Sequence, residues 1–174
     1  MRHLLIAVTF LELAVPAAAV SATPRHTVNL ANGKFDGRAI LGLTPAQVRT
    51  VLGKPDSAGG SKARYQLIWG TFPNIRFTVI FTKRGTHERA VVLAFETGIF
   101  RDPKLGDILE RRPSAFQSAM RASYGDVYRL VNPLKHKPGG LYAGEFRQRD
   151  GTLHVSFGTH LKLGTFVTVW DYGG

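Results

Sequence analysis

The chain has 174 residues, 44% of them apolar, and 23 Lys and Arg against 12 Asp and Glu, a formal net charge of +11. That length and apolar content suffice for one domain with a core of its own. There is no cysteine, which excludes disulfides, thiolate metal sites, cysteine nucleophiles and a lipid-attachment cysteine.

Residues 1–22 read as a cleavable secretory signal peptide. Arg2 and His3 form a short positive region, and residues 4–15 are apolar save Thr9 and Glu12. Pro16 ends the run, and Val20-Ser21-Ala22, or alternatively Ala17-Ala18-Ala19, offers small side chains to a signal peptidase. The run is shorter than the roughly 20 apolar residues of a span, and Glu12 would be costly in lipid. The expected product is secreted or held in the periplasm or cell envelope, with no transmembrane segment left after cleavage.

Residues 23–35 are polar and without periodicity, which predicts a flexible lead-in. A first unit is expected over residues 36–100. Thr44 is an N-cap residue whose hydroxyl can accept a free backbone N–H. Pro45 stands at the first helical position, and Gln47 completes a capping box. Val48, Val51 and Leu52 form one apolar stripe, and Gly53 and Pro55 stop the helix. A Gly/Ser loop is expected at residues 57–62. Strands are expected at 64–69, 75–82 and 89–96, where Tyr65, Leu67 and Trp69, then Phe77, Val79 and Phe81, then Val91, Leu93 and Phe95 alternate.

A second unit is expected over residues 101–174. Its helix begins at Pro113 and ends at Tyr124-Gly125-Asp126. Strands follow at 127–131, 142–148, 152–159 and 166–172, with a hairpin turn at Arg149-Asp150-Gly151-Thr152. The expected fold class is α+β: two tandem units, each with short helices packed on one face of an antiparallel sheet.

The run Ile40-Leu41-Gly42-Leu43-Thr44-Pro45-Ala46-Gln47-Val48, followed by Val51-Leu52-Gly53-Lys54-Pro55-Asp56, resembles a known signature. It is similar to the helix-loop-helix of the β-lactamase inhibitory proteins and the small outer-membrane assembly lipoproteins related to them. The resemblance implies two tandem units whose sheets form one concave binding surface, and a role in binding without catalysis. The chain departs from the inhibitors in having no disulfide. It departs from the lipoproteins in having Thr23, not cysteine, after Ala22.

The sequence holds no Gly-x-Ser-x-Gly elbow, P-loop or dinucleotide fingerprint, so neither a catalytic residue nor a cofactor is expected. His154, His160 and Asp171 are the nearest approach to a metal set, yet strand alternation turns His154 away from Leu153, Val155 and Phe157 towards solvent. The same parity puts Arg76, Thr78, Glu145, Arg147 and His154 on the open sheet face. Trp170 and Phe166 join them if Val167 and Val169 face the core, and the alternation leaves that open. These residues, with Trp170, are the candidate partner-binding set, because aromatics and arginines dominate interface energetics.

Export turns the positive charge away from nucleic acid and towards anionic surfaces outside the cytoplasm. The expected function is an exported, non-enzymatic protein-binding module, an inhibitor of an extracellular enzyme being one form of it, with a protein partner that the sequence does not name. The alternative is a basic cell-envelope component docking onto anionic polymer or lipid.

Overall fold

The computed structural model describes residues 25–61, 64–70, 76–84, 87–161 and 164–171; residues 1–22, expected from the sequence to be a signal peptide, lie outside the described residues. The first elements are β1 (Arg25–Asn29), β2 (Lys34–Phe35), β3 (Arg38–Ala39) and helix α1 (Pro45–Leu52). Then come β4 (Ser57–Ser61), β5 (Arg64–Trp69), β6 (Arg76–Arg84) and β7 (His87–Thr97). The chain continues through β8 (Ile99–Asp102), β9 (Gly106–Asp107) and helix α2 (Pro113–Tyr124). It ends in β10 (Tyr128–Lys137), β11 (Leu141–Gln148), β12 (Leu153–His160) and β13 (Gly164–Asp171).

The result is a mainly-β protein with two short helices and two sheets. The larger sheet has eight strands in the order β10-β11-β12-β13-β7-β6-β5-β4. All its pairings are antiparallel. Each half of the chain contributes a four-stranded meander, and the last strand of each, β7 and β13, meet in the middle. The smaller sheet has the order β3-β2-β1-β8-β9, and its β1–β8 pair is parallel.

Two sequence expectations need correction here. Residues 25–35 are not a lead-in: β1 and β2 belong to the smaller sheet, and Val28, Leu30 and Phe35 are buried. A short strand lacks visible periodicity when only two or three of its side chains point inward. Residues 57–61 are not a loop but the edge strand β4, paired with β5 from Ser57↔Ile68 to Ser61↔Arg64. Its Gly and Ser residues suit an edge, where no side chain need pack.

Helix α1 forms as its sequence dictates. Thr44 Oγ1 accepts from the Gln47 N–H at 3.3 Å, and Thr44 N–H donates to Gln47 Oε1 at 2.9 Å. At the other end Gly53, with φ of 82°, turns the chain out while its N–H donates to Arg49 O. The turn before α1 is tied to β7 by two backbone bonds, Gly42 N–H to Ala90 O and Ala90 N–H to Leu43 O, each 2.8 Å. Helix α2 starts at Pro113 without a side-chain cap. Its hold is tertiary: Phe116, Met120 and Tyr124 are buried, and the Phe116 ring lies 5.0 Å from that of Phe157 on β12.

One core joins both sheets and both helices. It holds Val28 and Phe35 from the smaller sheet, Leu30 from the turn after β1, Val48 from α1, and Leu67, Val79, Leu93, Phe146, Val155 and Val169 from the larger sheet. Asp102, at the end of β8, is buried beside it and ties the layers together. Its carboxylate accepts from the N–H groups of Leu30, Lys104 and Leu105 and from the Tyr124 hydroxyl. Burial, and next the Asp102 carboxylate, push the Tyr124 phenol above its usual range.

Candidate functional site

Strand alternation gives the larger sheet two unlike faces. Phe146, Val155, Val169, Leu93, Val79 and Leu67 form one continuous rung of the core face. On the opposite face one rung runs Asn132, Glu145, Ser156, Thr168, Ala94, Thr78. The next runs Arg147, His154, Trp170, Val92, Ile80, Gln66. Five of the six residues expected at a binding face fall in these two rungs. The sixth, Arg76, lies beyond a bulge in β6 and pairs with Glu96 of β7, its Nε 3.1 Å from Oε2.

The structure also decides the position of Trp170. Val167 and Val169 are buried in the core, so Phe166 and Trp170 stand half-buried on the opposite face. Trp170 Nε1 donates to Thr168 Oγ1 at 2.7 Å, which fixes the indole along its own strand. The guanidinium of Arg64 lies 5.9 Å from the indole centroid, within range of a cation–π attraction. Arg64 belongs to β5, three strands from β13. The two side chains therefore arch over the strands between them, and Val92, next to Trp170 in the same rung, is only 1% exposed.

At the other flank of Trp170 a polar group is packed. His154 Nδ1 lies 2.6 Å from Glu145 Oε1, and Asn132 Nδ2 donates to Glu145 Oε2 at 2.8 Å. Burial opposes ionisation of Glu145. The hydrogen bonds from His154 and Asn132, with the charges of His154 and Arg147, outweigh it and hold the carboxyl below its usual range. Arg147, opposite His154 in the register, is exposed.

Two expectations about this face are corrected. His154 is on the open face but does not point into solvent; it is 3% exposed, and Thr78 is 4% exposed. Neighbouring side chains on that face, such as Glu145 against His154, cover what parity alone would leave bare. His154 and His160 do not meet either. They sit six residues apart on β12, about 20 Å at the rise of a strand. Among the described residues no three His, Asp or Glu form a metal-ligating group.

A cavity lies between the smaller sheet and α1. It has a volume of about 470 Å³ and is lined by His26, Phe35, Asp36, Arg38, Trp69 and Phe77, among others. His26 Nδ1 is 2.8 Å from Asp36 Oδ2, and its ring stacks on Phe35 with centroids 5.2 Å apart. Asp36 also accepts from the Thr27 N–H at 2.7 Å. Both Asp36 and Gly37 have positive φ, the geometry of a two-residue hairpin turn. The pair thus fastens the β2–β3 turn to β1.

Arg64 is the member of the open face that the sequence reading missed. Its parity was available, because Tyr65, Leu67 and Trp69 alternate with it. Its meeting with Trp170 was not, since that depends on β7 and β13 being neighbours.

No protein-family model matches the chain, and no curated protein matches it. Among solved structures it is similar to the crystal structure of a DUF4309 family protein, YjgB, from Bacillus subtilis. The two share 13% identity over 74% of this chain and 78% of that one, with a TM-score of 0.44.

The resemblance to the β-lactamase inhibitory proteins is overturned. The chain's own fold is one of two sheets, the smaller of which contains a parallel pair, β1 with β8. Where the resembled signature has the first helix of each pair, this chain has strands, β3 before α1 and β9 before α2. The capped-helix motif was read correctly, but a helix closed by Thr-Pro and Gly-x-Pro arises on more than one fold.

Proposed function

We propose that this protein is an exported, non-enzymatic binding module whose open sheet face takes an acidic protein surface. The observation that carries this reading is Trp170, held on the face opposite the core, capped by Arg64 and flanked by His154 and Arg147. A rigid aromatic set among arginines is a composition common at interface hot spots. A net charge of +11 favours an acidic partner and speeds encounter with it.

The finer reading of the fold supports the same role. Each half of the chain is a helix followed by a four-stranded meander, and we read these as two tandem units. Joined through β7 and β13, they present one broad face in place of two narrow ones. An inhibitor of an extracellular enzyme is one form such a module takes.

The test is a pull-down from secreted and envelope fractions with the wild-type chain and the Arg64→Ala/Trp170→Ala/Arg147→Ala variant. A stoichiometric protein complex that persists in moderate salt and is lost in the variant is expected. Equal recovery by both chains would remove the open face from the interaction.

A further inference from the structure

Among the described residues Leu161 is the one large apolar side chain left exposed, at 87%. It follows β12 at the tip of the β12–β13 hairpin, beside the tip of the β10–β11 hairpin. Its N–H donates to Gly140 O at 3.3 Å. A Cβ on Gly140 would lie 2.4 Å from Leu161 Cδ1, so the bare backbone of Gly140 seats the leucine. The two tips enclose a cavity of about 520 Å³ lined by His136, Gly140, Tyr142, Thr159, His160 and Leu161. The rings of His136 and Tyr142 pack with centroids 4.8 Å apart.

The charge around this apolar point has one sign. Residues 127–144, 155–161 and 164–170 contain Arg129, Lys135 and Lys137, with His136 and His160, and no Asp or Glu at all. The nearest carboxylate along β11 is Glu145, four positions from Leu141 and engaged by His154. This end of the sheet is also the far end from Trp170: His160 pairs with Gly164, whereas Trp170 pairs with His154.

We propose that the two hairpin tips form a docking surface for an anionic lipid bilayer, distinct from the open-face site. A bilayer is negatively charged at its headgroups and apolar a few ångströms beneath them. The tips repeat that order in reverse: Leu161 projects, and Lys135 and Lys137 of β10 lie towards the same end of the sheet, Lys137 opposite Leu141 and Leu141 opposite His160. An acidic protein surface would match the lysines but leave the projecting leucine without an apolar recess that the charge pattern calls for.

The test is vesicle flotation of the full chain with phosphatidylglycerol–phosphatidylcholine vesicles against phosphatidylcholine alone. The apolar N-terminal stretch is common to every variant, so the readout is the difference between variants. Wild type should float with the anionic vesicles, and added salt should weaken binding. Lys135→Ala with Lys137→Ala should weaken it about 25-fold, and Leu161→Ser about tenfold. Unchanged thermal melts should accompany both, because Leu161 and Lys135 are exposed. Variants that bind like wild type would overturn the proposal and assign the binding to another segment. So would no preference for anionic vesicles, or a Leu161→Ser effect confined to self-association of the chain on gel filtration.

Discussion

The guanidinium of Arg64 caps the indole of Trp170 at 5.9 Å although two strands, β6 and β7, lie between β5 and β13. The contact joins the two halves of the chain across the open face. Its energy should be modest and measurable. A double-mutant cycle of Arg64→Ala and Trp170→Ala in urea denaturation should give a coupling of about 0.5–1 kcal/mol. Both single variants should stay folded by circular dichroism. A Trp170→Ala chain that fails to fold would make the indole a core residue and sink its part in binding.

Helix α1 depends on its capping box. Removing the Thr44 hydroxyl leaves the Gln47 N–H without its acceptor. Thr44→Ala should cost about 1 kcal/mol, a drop of roughly 2–4 °C in melting temperature for a domain of this size. Thr44→Ser should melt close to wild type, since serine supplies the same oxygen.

Asp102 carries a heavier load. It satisfies three backbone N–H groups and the Tyr124 hydroxyl in a buried place. Asp102→Ala should destabilise the fold by about 3 kcal/mol or more, as several buried donors lose their acceptor together. Tyr124→Phe removes one of those bonds and should cost only about 1 kcal/mol. Chemical denaturation of both variants tests the order; a larger loss in Tyr124→Phe would contradict it.

Glu145 predicts a pH dependence. Its folded carboxyl titrates below its unfolded value, so the unfolded chain takes up the proton first as pH falls. The stability it contributes is present above the unfolded pKa, about 4.3, and is lost as pH drops through the lower folded value. Glu145→Gln should therefore flatten part of the decline in unfolding free energy between about pH 5 and 3. An unchanged acid limb in urea titrations would show that the carboxylate adds nothing to stability.

Much of the chain's local structure was legible because local chemistry decides it. The capped helix at Pro45–Leu52 came out with its bounds, and β5 came out residue for residue. The alternation of Phe77, Val79 and Phe81 marks the core face of β6 correctly. The open-face positions of Glu145, Arg147 and His154 followed from the same period. What failed were short or side-chain-poor strands. Nothing in Ser57-Ala58-Gly59-Gly60-Ser61 announces a strand; β5 imposes it by offering a row of backbone partners. Likewise β1 is a strand because β2 and β8 lie on either side of it.

By itself, the sequence determined the charge, the lack of cysteine, the helix ends and which side chains share a strand face. These depend on composition or on neighbours within a few residues. Only the tertiary structure decided that β7 and β13 meet, and hence that Arg64 covers Trp170, that His154 is buried on a face expected to be wet, and that strands stand where the resembled signature has helices. Each of those is set by strands distant in the chain, whose pairing follows from burying both halves in one core.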